Sequence, residues 1–180
     1  MILDEIQCGF GRAGSFWAFE QYDVVPDILV TAKAMGGGMP LGAFISSKEI
    51  MNSLTHEPIL GHISTFGGHP VSAAASLAAL NVLSNSTLIS DVSSKSELIF
   101  ELLSGNNKIK EIRRKGLMIA AEFESFEFLQ KVIKRLLEKG VLSDWFLFCD
   151  NSMRIAPPLV ISKEEIALSC EKINDVLREL

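Results

Sequence analysis

Apolar residues follow two textures along the chain. Up to about residue 85 they come as short continuous runs cut by glycine, proline or aspartate; after that they recur at helical or strand spacing. Ile2–Ile6, Ile28–Thr31 and Ala43–Ile45 are short, rich in β-branched residues and bounded by turn formers, which predicts buried strands. Pro26-Asp27 marks the turn into the second. Runs that do not alternate favour a parallel sheet covered on both faces. Pro70 fits a first helical position, and Ala73, Ala74, Ala75, Ala78 and Ala79 carry high helix propensity, so the spacing predicts a helix from Pro70 to Ser84.

The second half predicts separate helices and strands. Leu98, Ile99, Leu102 and Leu103 form one helical face that stops at Ser104-Gly105. Ile109–Phe123 is strand material, with Leu117, Ile119, Ala121 and Phe123 on one face. Phe128–Lys139 is a helix with Leu129, Val132, Ile133, Leu136 and Leu137 inward, ended by Gly140. Val141–Val160 is extended, and Pro157-Pro158 confines it to an edge or a turn. Ser162 and Glu165 form a capping box for a last helix that buries Ile166, Cys170, Ile173, Leu177 and Leu180. The change of texture places a boundary near 85–95, giving domains 1–90 and 91–180. The expected fold is α/β in the first and α+β in the second.

Composition narrows the function classes. With 180 residues, 48% hydrophobic and 22% charged, the chain has the makeup of a globular protein with a core. Its formal net charge of −5 argues against a general nucleic-acid binder. No apolar run reaches the roughly 18–20 residues that span a bilayer, so no membrane partner is expected. Cys8, Cys149 and Cys170 form no CxxC pair and no zinc pattern with His56, His62 and His69. The histidines are read as loop or cap residues. Unpaired cysteines suit a reducing compartment, and a cytoplasmic location is expected. An apolar strand at the first residue is unusual, because termini tend to lie exposed; it suggests that a segment precedes Met1.

Several residues stand where chemistry happens. Asp4 and Lys33 close predicted strands, and open parallel sheets bind ligands at the carboxyl ends of their strands. Each also has an ordinary reading, a turn cap for Asp4 and a solvated charge for Lys33. Lys33 sits among Thr31, Ala32, Ala34 and Met35 with no other charge nearby. A lysine that loses hydration there becomes a nucleophile suited to Schiff-base chemistry. Gly36-Gly37-Gly38 follows a strand but lacks the ending of a P-loop, which excludes that nucleotide motif. Arg12 is a surface residue or a phosphate or substrate contact. Arg154, between Met153 and Ile155, requires a carboxylate, because a guanidinium keeps its charge. A structural acid and a substrate are both open as that partner. Ser64 to Pro70 can hold an anion at a helix start or simply cap the helix.

Together these blocks resemble the class III pyridoxal-phosphate aminotransferases. The resemblance rests on Leu3-Asp4-Glu5-Ile6-Gln7-Cys8-Gly9-Phe10-Gly11-Arg12-Ala13-Gly14, on Pro26-Asp27-Ile28, and on Ala32-Lys33-Ala34-Met35-Gly36-Gly37-Gly38-Met39-Pro40-Leu41-Gly42-Ala43. Ser64 to Pro70 and Arg154 to Val160 match two later family blocks, so the likeness runs to about residue 170. It implies part of a type I pyridoxal-phosphate-dependent transferase: the C-terminal part of a large domain with a mostly parallel sheet, then a small α+β domain. It implies pyridoxal 5'-phosphate as cofactor and a homodimer with the active site between subunits. It makes Lys33 the Schiff-base lysine, Asp4 the partner of the pyridine nitrogen and Gln7 a neighbour of the ring's phenolic oxygen. Thr65 reaches the cofactor phosphate of the neighbouring subunit, Ser64 touches substrate, and Arg154 holds a substrate carboxylate.

The resemblance also implies a reaction. A terminal amine donor, ornithine or acetylornithine in type, passes its amino group to 2-oxoglutarate, with no metal. Aminomutase, racemase or decarboxylase chemistry shares these motifs, and a truncated copy without catalysis is the non-enzyme alternative. Cys8 stands where the family usually has threonine. The family's phosphate-binding loop and ring-stacking aromatic lie upstream of the matched blocks. The chain is therefore expected to be a C-terminal portion with little activity of its own.

Overall fold

Ile2, Leu3 and Asp4 form β1, which runs parallel to β2 (Ile28–Thr31), with Ile2 opposite Ile28 and Asp4 opposite Val30. β3 (Ala43–Ser46) pairs antiparallel with the other side of β2, so the sheet order is β1-β2-β3. The computed structural model describes all 180 residues, and this sheet belongs to the first of two units, Met1–Ile89. The expectation of a parallel sheet covered on both faces therefore fails at β3. The link of residues 32–42 is too short for the crossover of about a dozen or more residues that a parallel neighbour needs. Ile2, Phe44 and Ile45 are exposed as well, so the runs do not mark strands buried on both faces. β1 also stops at Asp4, short of Ile6.

The connection after β1 is held by an acid. Glu5 is buried, and its carboxylate accepts the Ala18 and Phe19 amides at 3.0 and 2.9 Å, at the start of a 3₁₀ turn over Ala18–Tyr22. Phe10, Phe16 and Trp17 close the loop with ring centroids 5.0–5.2 Å apart. Gly9 is required here: a Cβ would stand 2.8 Å from the Trp17 ring.

After β3 come α1 (Lys48–Asn52) and α2 (Pro70–Ser84), the latter spanning the residues its alanines and Pro70 predict. His69 caps it, its Nδ1 accepting the Val71 amide at 3.3 Å, as a cap reading of that histidine expects.

The second unit, Ser90–Leu180, holds the continuous apolar core. α3 (Val92–Leu103) leads to the hairpin β4 (Glu111–Lys115) and β5 (Met118–Glu122). The expected single stretch from Ile109 is thus folded back at Gly116, whose positive φ of 56° makes the turn. α4 (Phe126–Glu138), β6 (Asp144–Phe146), β7 (Cys149–Ile155) and α5 (Lys163–Glu179) follow. The sheet is antiparallel throughout, in the order β4-β5-β7-β6.

Leu117, Ile119, Ala121 and Phe123 are fully buried, as one face of a strand with period two demands. They meet Leu129, Val132 and Leu136 of α4, Ile99 and Leu103 of α3, and Ile166, Cys170, Ile173 and Leu177 of α5 in one cluster. Each large side chain so buried stabilises the unit by about 1.5–3 kcal/mol before entropy is counted. Leu137 and Leu180 were expected inward and are exposed, at 61% and 38%. Leu137 follows Leu136 by about 100° and turns past the sheet, and Leu180 lies beyond the last turn of α5. The Ser162–Glu165 capping box forms in both directions, at 3.1 and 2.8 Å.

Candidate active site

The parallel pairing of β1 and β2 brings their carboxyl ends to one edge of the sheet, and Asp4 and Lys33 both stand there. Asp4 is the last residue of β1, opposite Val30, and Lys33 follows Thr31, the last residue of β2, by two positions. Asp4 Oδ1 accepts the Ile6 amide at 2.9 Å, which fixes the carboxylate at the strand end while leaving it exposed.

Lys33 opens the 3₁₀ turn Lys33–Gly36 with φ 49°, in the left-handed region. A non-glycine residue held there costs on the order of 1–3 kcal/mol, and such strain concentrates at functional positions. The turn is locked from its far end. Gly37 approaches α2 so closely that a Cβ would lie 2.5 Å from the Ala75 carbonyl oxygen, and its φ is 58°. Of the two readings of Lys33, a solvated charge and a poorly hydrated amine, the first describes its side chain, which is exposed. Ala32, Ala34 and Gly36, its sequence neighbours, are too small to cover a four-carbon stem.

Two further features of this edge bear on a bound group. Thr31 is buried, and its Oγ1 has no hydrogen-bond partner. Cys8 is half-buried, and its thiol is pushed above its ordinary range by burial and then by the charges of Glu5 and Asp4. A neutral thiol beside two carboxylates is a weak donor and no nucleophile.

Gln7 lies exposed just after β1. Arg12 is half-buried, and burial lowers its pKa; it is not a freely solvated surface charge. Ser64 and Thr65 sit on the exposed stretch before α2, which is organised by turns in which Gly67 N donates to Ser64 O and His69 N to Phe66 O. The structure therefore brings Asp4 and Lys33 to one edge, leaves Gln7 beside it, and puts Ser64 and Thr65 on a separate loop of the same unit.

Arg154 belongs to the second unit, on β7. There it pairs across the ladder with Asp144 of β6, Nη2 donating to Oδ2 at 2.5 Å. Asp144 is the residue the sequence reading missed. No plain hairpin register would have found it: a tip at Leu147-Phe148 alone sets 144 opposite 151, and an irregularity between Trp145 and Phe146 shifts Asp144 to Arg154.

A comparison with family models matches residues 1–177 to the class-III aminotransferases. The chain belongs to this family. Over its whole length it is 39% identical to an acetylornithine aminotransferase of Methanocaldococcus jannaschii, of which it covers 44%. It is 38% identical to a putrescine aminotransferase of Pectobacterium atrosepticum, covering 40% of that protein. Among solved structures, an ornithine aminotransferase of Toxoplasma gondii, described with partial occupancy of pyridoxal phosphate at its active site, superposes with a TM-score of 0.85. That match has 34% identity over 98% of this chain and 42% of the other. The chain thus spans less than half the length of these relatives. No helix is long and apolar enough to cross a membrane.

The residues of the β1–β2 edge fit the family's cofactor, pyridoxal phosphate. A carboxylate and a primary amine on neighbouring strand ends are the donor set that a pyridine nitrogen and an aldehyde require. The turn that presents the amine is strained and fixed by the Gly37–Ala75 contact.

Proposed function

We propose that the chain carries the lysine-bearing part of an aminotransferase that moves a terminal amino group from an ornithine- or acetylornithine-like donor to 2-oxoglutarate. The observation that supports this reading is the placement of Asp4 and Lys33 at the ends of two parallel strands, with Lys33 in a strained turn. Pyridoxal phosphate, when bound, supplies an electron-accepting ring that stabilises a carbanion. Asp4, its carboxylate fixed by the Ile6 amide, would hold a proton on the ring nitrogen. Gln7, exposed just after β1, would neighbour the phenolic oxygen.

Lys33 is the attachment residue, and once free its amine moves a proton at the reacting carbon. Thr65 and the amides of its loop serve the cofactor phosphate of a neighbouring subunit in a homodimer, and Ser64 contacts substrate there. Arg154 orients a substrate carboxylate through its fork. The three cysteines are free, in keeping with a reducing cytoplasm.

The visible spectrum of the chain mixed with pyridoxal phosphate tests this reading. Wild type gives a protein-dependent band that borohydride traps on Lys33, and Lys33→Ala gives none. A band of equal strength in Lys33→Ala refutes the assignment of Lys33.

A further inference from the structure

The Lys33 side chain is exposed, and its sequence neighbours Ala32 and Ala34 carry single methyls. The direction in which its stem leaves the strand end is therefore set by the backbone. That backbone is held at φ 49°, where a residue with a Cβ stays only when its surroundings impose it.

The turn transmits what happens at its far end. Met35 N donates to Ala32 O at 3.1 Å, Gly37 N to Ala34 O at 3.2 Å and Met39 N to Gly36 O at 3.0 Å. These bonds overlap from Ala32 to Met39, so Lys33 and Gly37 move together. Two consecutive glycines are gripped from outside the turn. Gly36 is buried, and a Cβ on it would lie 3.3 Å from the Leu41 backbone nitrogen. A Cβ on Gly37 would lie 2.5 Å from the Ala75 carbonyl oxygen and 3.0 Å from the Ala79 methyl. The Ala75 contact is helix backbone and cannot be resized. The Ala79 contact is a side chain, so its size decides how closely α2 lies on the turn. A close-packed contact has no slack for added methyl groups.

We propose that Ala79 is a positioning residue for Lys33: its methyl sets the distance between α2 and Gly37, and through the bonded turn keeps Lys33 in the left-handed conformation that presents its amine at the edge shared with Asp4. This inference rests on the reading of Lys33 as the attachment residue. Ala79 lies 46 positions from Lys33 and acts only through the turn.

The test is the distribution of covalent label. The 180-residue chain is mixed with pyridoxal phosphate and reduced with borohydride, and the adduct at Lys33 is measured by mass against those at the exposed Lys48 and Lys108. Ala79→Leu should lower the Lys33 share about three- to tenfold in a chain whose circular dichroism matches wild type, because reacting groups tolerate little misplacement. Ala79→Val should give part of the same fall, and it decides the case if Ala79→Leu does not fold. Ala79→Ser, close in volume, should keep the wild-type share. Ala78→Leu makes the same enlargement on the exposed side of α2 and should also keep it. Phe16→Leu, which loosens the ring cluster of the same unit, should keep it too; this separates positioning from a general loss of stability. A wild-type chain with no excess at Lys33 refutes the reading of Lys33, and the inference falls with it. A wild-type excess that the Leu and Val variants at 79 hold within about twofold, or that Ala78→Leu or Phe16→Leu lowers equally, refutes the role of Ala79 alone.

Discussion

Glu5 shows how much of the candidate site depends on a residue that touches no reactant. It sits between Asp4 and the loop that returns through Gly9 to Trp17, and both of its oxygens are used on backbone amides. Glu5→Gln keeps the volume but leaves a single acceptor for two donors. It should lower stability by about 1–3 kcal/mol, read as a fall in the urea midpoint at unchanged slope. At this scale the sequence was informative about residue type more than about surroundings. Asp4, Lys33 and Arg154 could be picked out because an acid or amine at a strand end, and a cation in an apolar strand, each need a reason. The partner of Arg154 could not, because Asp144 is ten residues away and meets it only through a turn whose position the pattern does not mark. The exposure of Lys33 was equally hidden, since exposure depends on what covers a side chain, and its neighbours in sequence are too small to do so.

Among the elements, the helices of the second unit are joined by charge as well as by the core. Glu179 near the end of α5 accepts from Lys139 at 2.5 Å and from Arg135 of α4 at 2.8 Å. These bonds, Lys139 first, hold the Glu179 carboxyl below its ordinary range. A carboxylate with a depressed folded pKa contributes stability above its unfolded value of about 4.3 and loses it as pH falls through the folded value. Glu179→Gln should therefore melt below wild type at pH 7, and the gap should close as the pH is lowered below 4. The gap at pH 7 should be small and shrink in salt, because the pair is exposed. A gap that persists unchanged at pH 2 contradicts the electrostatic origin. Element types were the most legible part of the chain. Pro70–Ser84 and the capping box at Ser162 were marked by local chemistry, whereas the direction of β3 was not, because strand direction follows from loop length rather than from the apolar run itself.

For the molecule as a whole, the two units differ in how they are held. The buried apolar cluster lies within residues 92–177, while the first unit leaves Ile2, Phe44, Ile45, Phe66 and Val82 exposed. Backbone amides of β5 and β7 should accordingly exchange with solvent far more slowly than those of β1 and β3, by a hundredfold or more on the order expected between core and weakly buried strands. Equal protection in both sheets would show that the first unit is held by more than its own contacts.

The measurement that bears most directly on the central claim is the site of covalent attachment. The chain is mixed with pyridoxal phosphate, reduced with borohydride, digested and mapped by mass. If the β1–β2 edge is a cofactor site, Lys33 carries the reduced adduct in excess over the exposed Lys48 and Lys108, and Asp4→Ala diminishes that excess without changing labelling elsewhere. Labelling of Lys33 no greater than that of Lys48 and Lys108, or indifferent to Asp4, would contradict the account.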